Sequence, residues 1–216
     1  MKRTDRSRTP RLSHVDARGR ARMVDVSAKP PTLREAVAAG SIRMSREAYR
    51  AIRRRRAAKG DAVALARVAG ISAAKRTSEL IPLCHAIPLE HVEVGVRFGG
   101  DGRTIEVESR VRARFSTGVE MEALVAVTAS LLTLYDMGKA IDRGMTLGAI
   151  RLLRKVGGRS GEYVRVGTRL KVRAARPRSR STTPASGSGR PDPSRDRAEA
   201  RTATRDRSGR RGLRAR

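Results

Sequence analysis

Two adjacent cations, Lys75 and Arg76, are followed within ten residues by the single cysteine of the chain, Cys84, and by His85. Cations hold phosphate oxygens and an imidazole carries protons near neutral pH, so this short segment has the materials for a phosphate-handling, proton-transferring pocket. Further along, Asp136 and Lys139 stand three apart, a spacing that lets the two side chains meet on one helix. They read either as a surface ion pair worth a few tenths of a kcal/mol, about 0.3–0.5, or as a couple in which each group sets the other's charge while one moves a proton. Lys59, just before Gly60-Asp61, is placed to bond the last carbonyls of a preceding helix. Thr117 and Glu120 have capping-box spacing, which explains Glu120 without catalysis and is compatible with a polar role in a pocket. By the same periodicity Met121 faces a core and Glu122 faces solvent. The run Gly157-Gly158-Arg159-Ser160-Gly161 is an anion-friendly loop without the Walker pattern, and it makes Arg159 a weaker candidate.

The elements that must position these groups are legible from period and punctuation. Met23-Val24-Asp25-Val26 alternates and predicts a strand ended by Lys29-Pro30-Pro31. Residues 32–44 are ambiguous, since Leu33-Arg34-Glu35-Ala36-Val37 suits a helix while Gly40 and Ile42 suit an extended segment. Ser45 is a plausible N-cap for a helix through Arg56, and a second, small-residue-rich helical run starts at Gly60 and carries Ala62, Ala66, Ala69 and Ala73. Val92, Val94 and Val96, then Ile105, Val107 and Ser109, alternate with polar residues on either side of Gly99-Gly100-Asp101-Gly102, which predicts a hairpin with one buried face. From Val119 to about Ile141, Leu124, Val127, Leu131, Leu134 and Met137 recur at helical spacing, and residues 145–152 read as a last strand. Helices segregated from an antiparallel sheet make an α+β layer architecture.

Composition narrows the function classes. Of a formal net charge of +28 over 216 residues, +13 falls on residues 164–216, where 17 cations face 4 anions. From about Ala174 the sequence is mostly Arg, Ser, Thr, Pro, Gly and Ala, with Leu213 as its one large aliphatic residue, too little apolar surface to offset ordering. Residues 1–11 are read as a basic disordered start, 12–165 as the folded domain and 166–216 as a disordered tail able to contact polyanions nonspecifically. A nucleic-acid-binding protein is the competing class, raised by the charge and by Arg53-Arg54-Arg55-Arg56. With five aromatic residues the chain lacks stacking platforms, and no binding motif is present. One cysteine forbids an intrachain disulfide, and with three histidines it leaves no zinc spacing, which fits a reducing cytoplasmic location. The apolar run at residues 124–135 is short of a bilayer span, and the basic N-terminus leads into no signal-peptide core, so neither membrane insertion nor export is expected.

Three separated blocks occur together: Lys75-Arg76-Thr77-Ser78-Glu79-Leu80-Ile81-Pro82-Leu83-Cys84-His85, Phe115-Ser116-Thr117-Gly118-Val119-Glu120-Met121-Glu122-Ala123-Leu124 and Leu134-Tyr135-Asp136-Met137-Gly138-Lys139-Ala140. In this order and spacing the chain resembles the cyclic pyranopterin monophosphate synthase family of molybdenum-cofactor biosynthesis, from about Leu12 to Glu162. The resemblance implies a ferredoxin-like fold, an antiparallel sheet with helices packed on one face. It implies conversion of a cyclised dihydroguanosine triphosphate into cyclic pyranopterin monophosphate with loss of pyrophosphate, a lyase reaction without a redox cofactor. Magnesium could accompany the triphosphate, though no carboxylate cluster argues for a dedicated site.

Residue by residue, the resemblance makes Asp136 the catalytic aspartate, Lys139 an essential lysine and Lys59 a second functional lysine, with His85 assisting. Leu83, Cys84, His85, Met121 and Glu122 match substrate-contacting positions, with Glu120 beside them, and Lys75, Arg76 and Lys155 match cations near phosphate. Ala86 stands where the family usually has proline, which leaves the His85 loop less rigid, and Gly138 stands where some relatives have cysteine. Glu122 and Asp136 are fourteen residues apart, about 21 Å along one helix at about 1.5 Å per residue. Either a long substrate spans them or the two ends come from different subunits. The resemblance implies the second, with pockets between subunits of a hexamer built as a trimer of dimers.

Overall fold

The computed structural model describes residues 14–16, 18–54, 61–159 and 161–167. Lys59, the first residues of the basic N-terminus and the tail beyond residue 167 lie outside them, and so do the expectations placed there. All described residues fall within one unit, Met1–Ala174.

The ambiguous segment is the central strand, β1 (Thr32–Arg43). Its alanines are weak strand formers, but pairing on both sides overrides propensity. β1 runs antiparallel to β3 (Thr104–Phe115) from Thr32↔Phe115 to Arg43↔Thr104 and antiparallel to β4 (Thr146–Val156) on its other edge. β2 (His91–Phe98) pairs antiparallel with β3 across the expected hairpin loop, and a short β5 (Tyr163–Val164), which periodicity did not foretell, pairs with β4. The order β2-β3-β1-β4-β5, with β3 inserted between β1 and β2, is the split βαβ, ferredoxin-like arrangement with one added edge strand.

Helices pack on one face of this sheet. α1 (Arg46–Arg53) starts where Ser45 Oγ accepts the Ala48 N–H at 3.2 Å, as expected of that cap. α2 (Ala62–Ala74) is capped by Asp61, whose carboxylate accepts the Val63 and Ala64 N–H groups, and a single turn, α3 (Thr77–Leu80), follows it. α4 (Glu120–Gly138) lies over β1 with Val127, Leu131 and Leu134 fully buried. It has the length and apolar composition of a membrane span, yet half of it is buried in this core. A methyl at Gly40 of β1 would sit 2.8 Å from Val127 Cγ1, so glycine is what lets α4 come down onto the strand.

Three local expectations are corrected. Residues 23–26 form no strand; the Asp25 carboxylate instead accepts the Ser27 N–H and hydroxyl, and the Lys29 N–H bonds the Val26 carbonyl, which bends the segment into turns. The N-cap of α4 is Val119 with no side-chain cap, so Thr117 and Glu120 do not form a capping box. Glu122, expected in solvent, is 3 % exposed, while Met121, expected in the core, is half-buried.

Candidate active site

α2 and α4 lie antiparallel, and that relation decides which candidate residues can meet. Ser130 Oγ of α4 donates to the Ala66 carbonyl of α2 at 2.9 Å and to its own Ala126 carbonyl at 2.8 Å, while Gly70 packs against Ala126 and Ser130. Moving forward along α2 therefore moves backward along α4. The C-terminal end of α2, with Lys75 and Arg76, lies at the N-terminal end of α4, and Asp61 lies at the end that carries Asp136.

The first end gathers Lys75, Arg76, Leu83, Cys84, Glu120, Met121, Glu122 and Lys155. Glu122 is shut away from water, and burial first, then the like charge of Glu120, pushes its carboxyl up to about 7, although it accepts its own backbone N–H. Burial first, then the nearby Glu122 charge, also push the Cys84 thiol up, which favours its neutral form. Lys155 Nζ stands 3.9 Å from Glu120 Oε1, and the Glu120 carboxylate folds back over Gly118, where any Cβ would collide with it.

Beside these residues opens a cavity of about 680 Å³, lined by Lys29, Arg34, Glu120, Lys155, Gly158 and Arg159 among others. Arg34 is 9 % exposed, and its Nε and Nη2 donate to the carbonyls of Phe115 and Ser116 at 3.0 and 3.3 Å. The glycines expected to cradle an anion serve this arginine: Gly157 and Gly158 have φ of 96° and 80°, and a Cβ at Gly158 would overlap Arg34 Nη1. Lys29 and Arg34 are cations that the motif reading missed. Their common signal is position, since β1 begins opposite Phe115, just ahead of α4, and it emerges only when the strands are paired. Four cations around an uncapped helix N-terminus form a site suited to phosphate oxygens.

The second end holds the Asp136 and Lys139 couple. Lys139 Nζ is 2.7 Å from Asp136 Oδ1, and both side chains are about half exposed, at 49 % and 52 %. Within one chain this couple is separated from Glu122 by most of the length of α4, so the two sets do not meet. His85, next in the chain to Cys84 of the first set, has its Nε2 2.9 Å from the Val24 carbonyl of the segment preceding β1.

Residues 23–158 match the MoaC family. Over 154 residues the chain is 57 % identical to a cyclic pyranopterin monophosphate synthase of Thermomicrobium roseum, covering 71 % of this chain and 93 % of that protein. It is 56 % identical over 153 residues to the protein of the same name from Roseiflexus sp., covering 71 % and 97 %, and 53 % identical over 153 residues to that of Parvibaculum lavamentivorans, covering 71 % and 96 %.

Proposed function

The chain belongs to the MoaC family, and on that premise we propose that it acts as a cyclic pyranopterin monophosphate synthase in molybdenum-cofactor biosynthesis, converting a cyclised dihydroguanosine triphosphate into the cyclic monophosphate with release of pyrophosphate. The observation that carries this reading is the cavity at the start of α4, where Lys29, Arg34, Lys155 and Arg159 surround Glu120. Such a cluster holds a polyphosphate and stabilises the charge that develops on leaving pyrophosphate. Lys75 and Arg76 at the same end add cations for the same purpose. The ring rearrangement also needs groups that give and take protons, and Asp136, Lys139 and Lys59 are assigned to it. Glu122, poised at about 7, is a further acid or base at the substrate-binding end.

The two ends come together if the enzyme is a homo-oligomer. The face of α4 turned away from the sheet carries Met121, Val125, Thr128 and Leu132, with Asp136 and Lys139 continuing the same stripe. Thr128 and Thr133 donate their hydroxyls to carbonyls one turn back, which hides their polarity, and Leu132 and nearby Ile150 are 55 % and 40 % exposed. A helix that is apolar all round belongs in an interior. Packing α4 antiparallel against α4 of a second copy, about a two-fold axis level with Ala129, buries the stripe. It also sets Glu122 level with Asp136 of the partner subunit across an interhelical distance of about 8–10 Å. A hexamer made of three such dimers, in a reducing cytosol, is the assembly the family resemblance favours. The basic tail, outside the matched region, has no part in turnover and provides salt-sensitive contact with polyanions.

Incubating the purified protein with the cyclised triphosphate intermediate tests the reading. A pterin chromophore appearing with one equivalent of pyrophosphate is the expected result, and pyrophosphate without the chromophore would reduce the protein to a phosphohydrolase.

A further inference from the structure

We infer that α1 and the two loops beside it form a phosphate-backbone surface through which this protein also binds duplex nucleic acid without regard to sequence. Arg46, Arg50 and Arg53 stand at i, i+4 and i+7 on α1, all exposed, on the side opposite the buried Ala48, Tyr49 and Ile52. Arg54 follows at the C-cap and is exposed as well. Cations in the last turn complement the helix dipole, which accounts for Arg50 and Arg53. Arg46 opens the first turn, where the same dipole disfavours a cation, so helix stability does not explain the stripe. Three hydrogen bonds bring further arginines beside it. The Met44 N–H bonds the Arg103 carbonyl at 2.9 Å and Tyr49 Oη donates to the Gly99 carbonyl at 2.6 Å, which hold the β2–β3 loop against α1. Asp142 accepts the Ser45 N–H at 2.7 Å and so fixes the α4–β4 loop, with Arg143, at the start of the same helix. Arg43, Arg103 and Arg143 are exposed. The carboxylates interspersed with these arginines are Glu47, Asp101 and Asp142. Asp101 accepts the Arg103 and Thr104 N–H groups and lies 3.3 Å from Arg43, and Asp142 also accepts the Gly144 N–H. Cations therefore outnumber acids at this end of the domain.

Charge of one sign at regular spacing fits a phosphate chain. At about 1.5 Å per residue, Arg46 to Arg53 covers about 10 Å, the length of about three phosphates along one duplex strand. The two rings packed under α1 offer no seat for an unpaired base. Tyr49 is buried, and Phe98 meets it edge to face with centroids 5.4 Å apart while the Arg53 guanidinium lies 6.0 Å from the Phe98 centroid. Contact is thus to backbone phosphates and not to bases, which favours duplex over single strand. The test is fluorescence anisotropy of the full-length chain with a random duplex DNA of about 20 base pairs across a KCl series. In Arg46→Gln/Arg50→Gln/Arg53→Gln, which keeps good helix formers in place, the slope of log affinity against log salt should become shallower by about 2.7, or about 40-fold in affinity between about 50 and 200 mM salt. Arg46→Gln alone should soften it by about 0.9 with the melting temperature unchanged. Arg67→Gln/Arg114→Gln/Arg165→Gln removes as many exposed arginines from elsewhere on the domain and should change the slope little. Equal losses in the two triple variants would mean that affinity follows net charge alone and would dissolve the surface. Tighter binding of the single strand than of the duplex would overturn the backbone reading. Polyglutamate that competes with the duplex charge for charge would assign the surface to an acidic protein instead. Turnover of the cyclised triphosphate should be parental in the α1 triple variant, and its loss together with duplex binding would give the stripe to the substrate. Anisotropy is read without substrate, so a protein that makes no pterin would sink the proposed reaction and still decide the surface.

Discussion

At the scale of single residues, three acidic side chains on one helix have three different characters, and the surroundings of each account for the difference. Asp136 is half exposed and 2.7 Å from an equally exposed lysine, so as a structural pair it contributes at most about 0.5 kcal/mol. Asp136→Asn and Lys139→Ala are expected to lower turnover at least a hundredfold while shifting the melting temperature by less than about 2 °C. Turnover within about threefold of the parent, only about 0.65 kcal/mol in barrier, would leave them a surface ion pair. Glu120 is held beside Lys155, whereas Glu122 is buried with its carboxyl pushed up to about 7 from 4.5. Its folded-state value lies above the unfolded one, so the native protein holds a proton that the unfolded chain has already released across that window. Stability from this group is present in full below about pH 4.5 and is lost as pH rises through about 7, by about 3 kcal/mol in all. Between pH 4.5 and pH 8 the parent should therefore lose about 3 kcal/mol more than Glu122→Gln in urea denaturation at fixed protein concentration. Parallel pH dependences would mean that Glu122 is solvated and ionised as an ordinary glutamate.

At the scale of elements, the contact that sets the site is the close approach of α2 and α4. A Cβ on Gly70 would strike Ser130 Oγ and come within 2.8 Å of the Ala126 carbonyl, which as backbone cannot swing aside. Alanine gains about 1 kcal/mol of helix propensity over glycine, but overpacking a tight contact costs about 1–3 kcal/mol and here displaces a helix. Gly70→Ala should lower the melting temperature by about 4 °C, while Gly100→Ala, with open space around it, should leave it unchanged. A neutral Gly70→Ala would show that α2 and α4 are not locked at this distance. The alanine-rich composition of α2 made this closeness legible in the sequence, as the alternation of β2 and β3 and the Ser45 cap made those elements legible. Glu122 was misread because helical periodicity sees only the helix's own faces, whereas the group that feels its charge, Cys84, comes from nearly forty residues earlier in the chain. Arg34 was missed for a related reason: its seat is a glycine pair more than 120 residues downstream, joined to it by the pairing of β1 with β4. The Thr117 and Glu120 spacing fitted a cap, but the glutamate is drawn instead toward Gly118 and Lys155.

At the scale of the whole molecule, the candidate site residues divide between the two ends of α4, and in the proposed oligomer a second subunit joins them. The proposed antiparallel pair of α4 helices would make two equivalent pockets, each combining the Glu122 end of one chain with the Asp136 end of the other. Glu122→Ala and Asp136→Asn are each expected to be inactive alone, because every pocket in either homo-oligomer lacks one group. In a mixed dimer, one pocket lacks both groups and the other is fully intact. With random pairing at equal concentrations, half of the dimers are mixed and each carries one good pocket of two, so activity should recover to about a quarter of the parent. A single chain bridging both ends with an extended substrate recovers nothing on mixing. Subunits must be exchanged by co-expression or mild denaturation, and mixed oligomers verified by mass, before rates are compared. Leu132→Asp offers an independent check, since a charge in the centre of the apolar stripe should split the dimer and abolish turnover together while the circular dichroism of the monomer stays native. Mixed oligomers proven by mass yet inactive, or a Leu132→Asp monomer that still turns over, would place the whole active site within one chain.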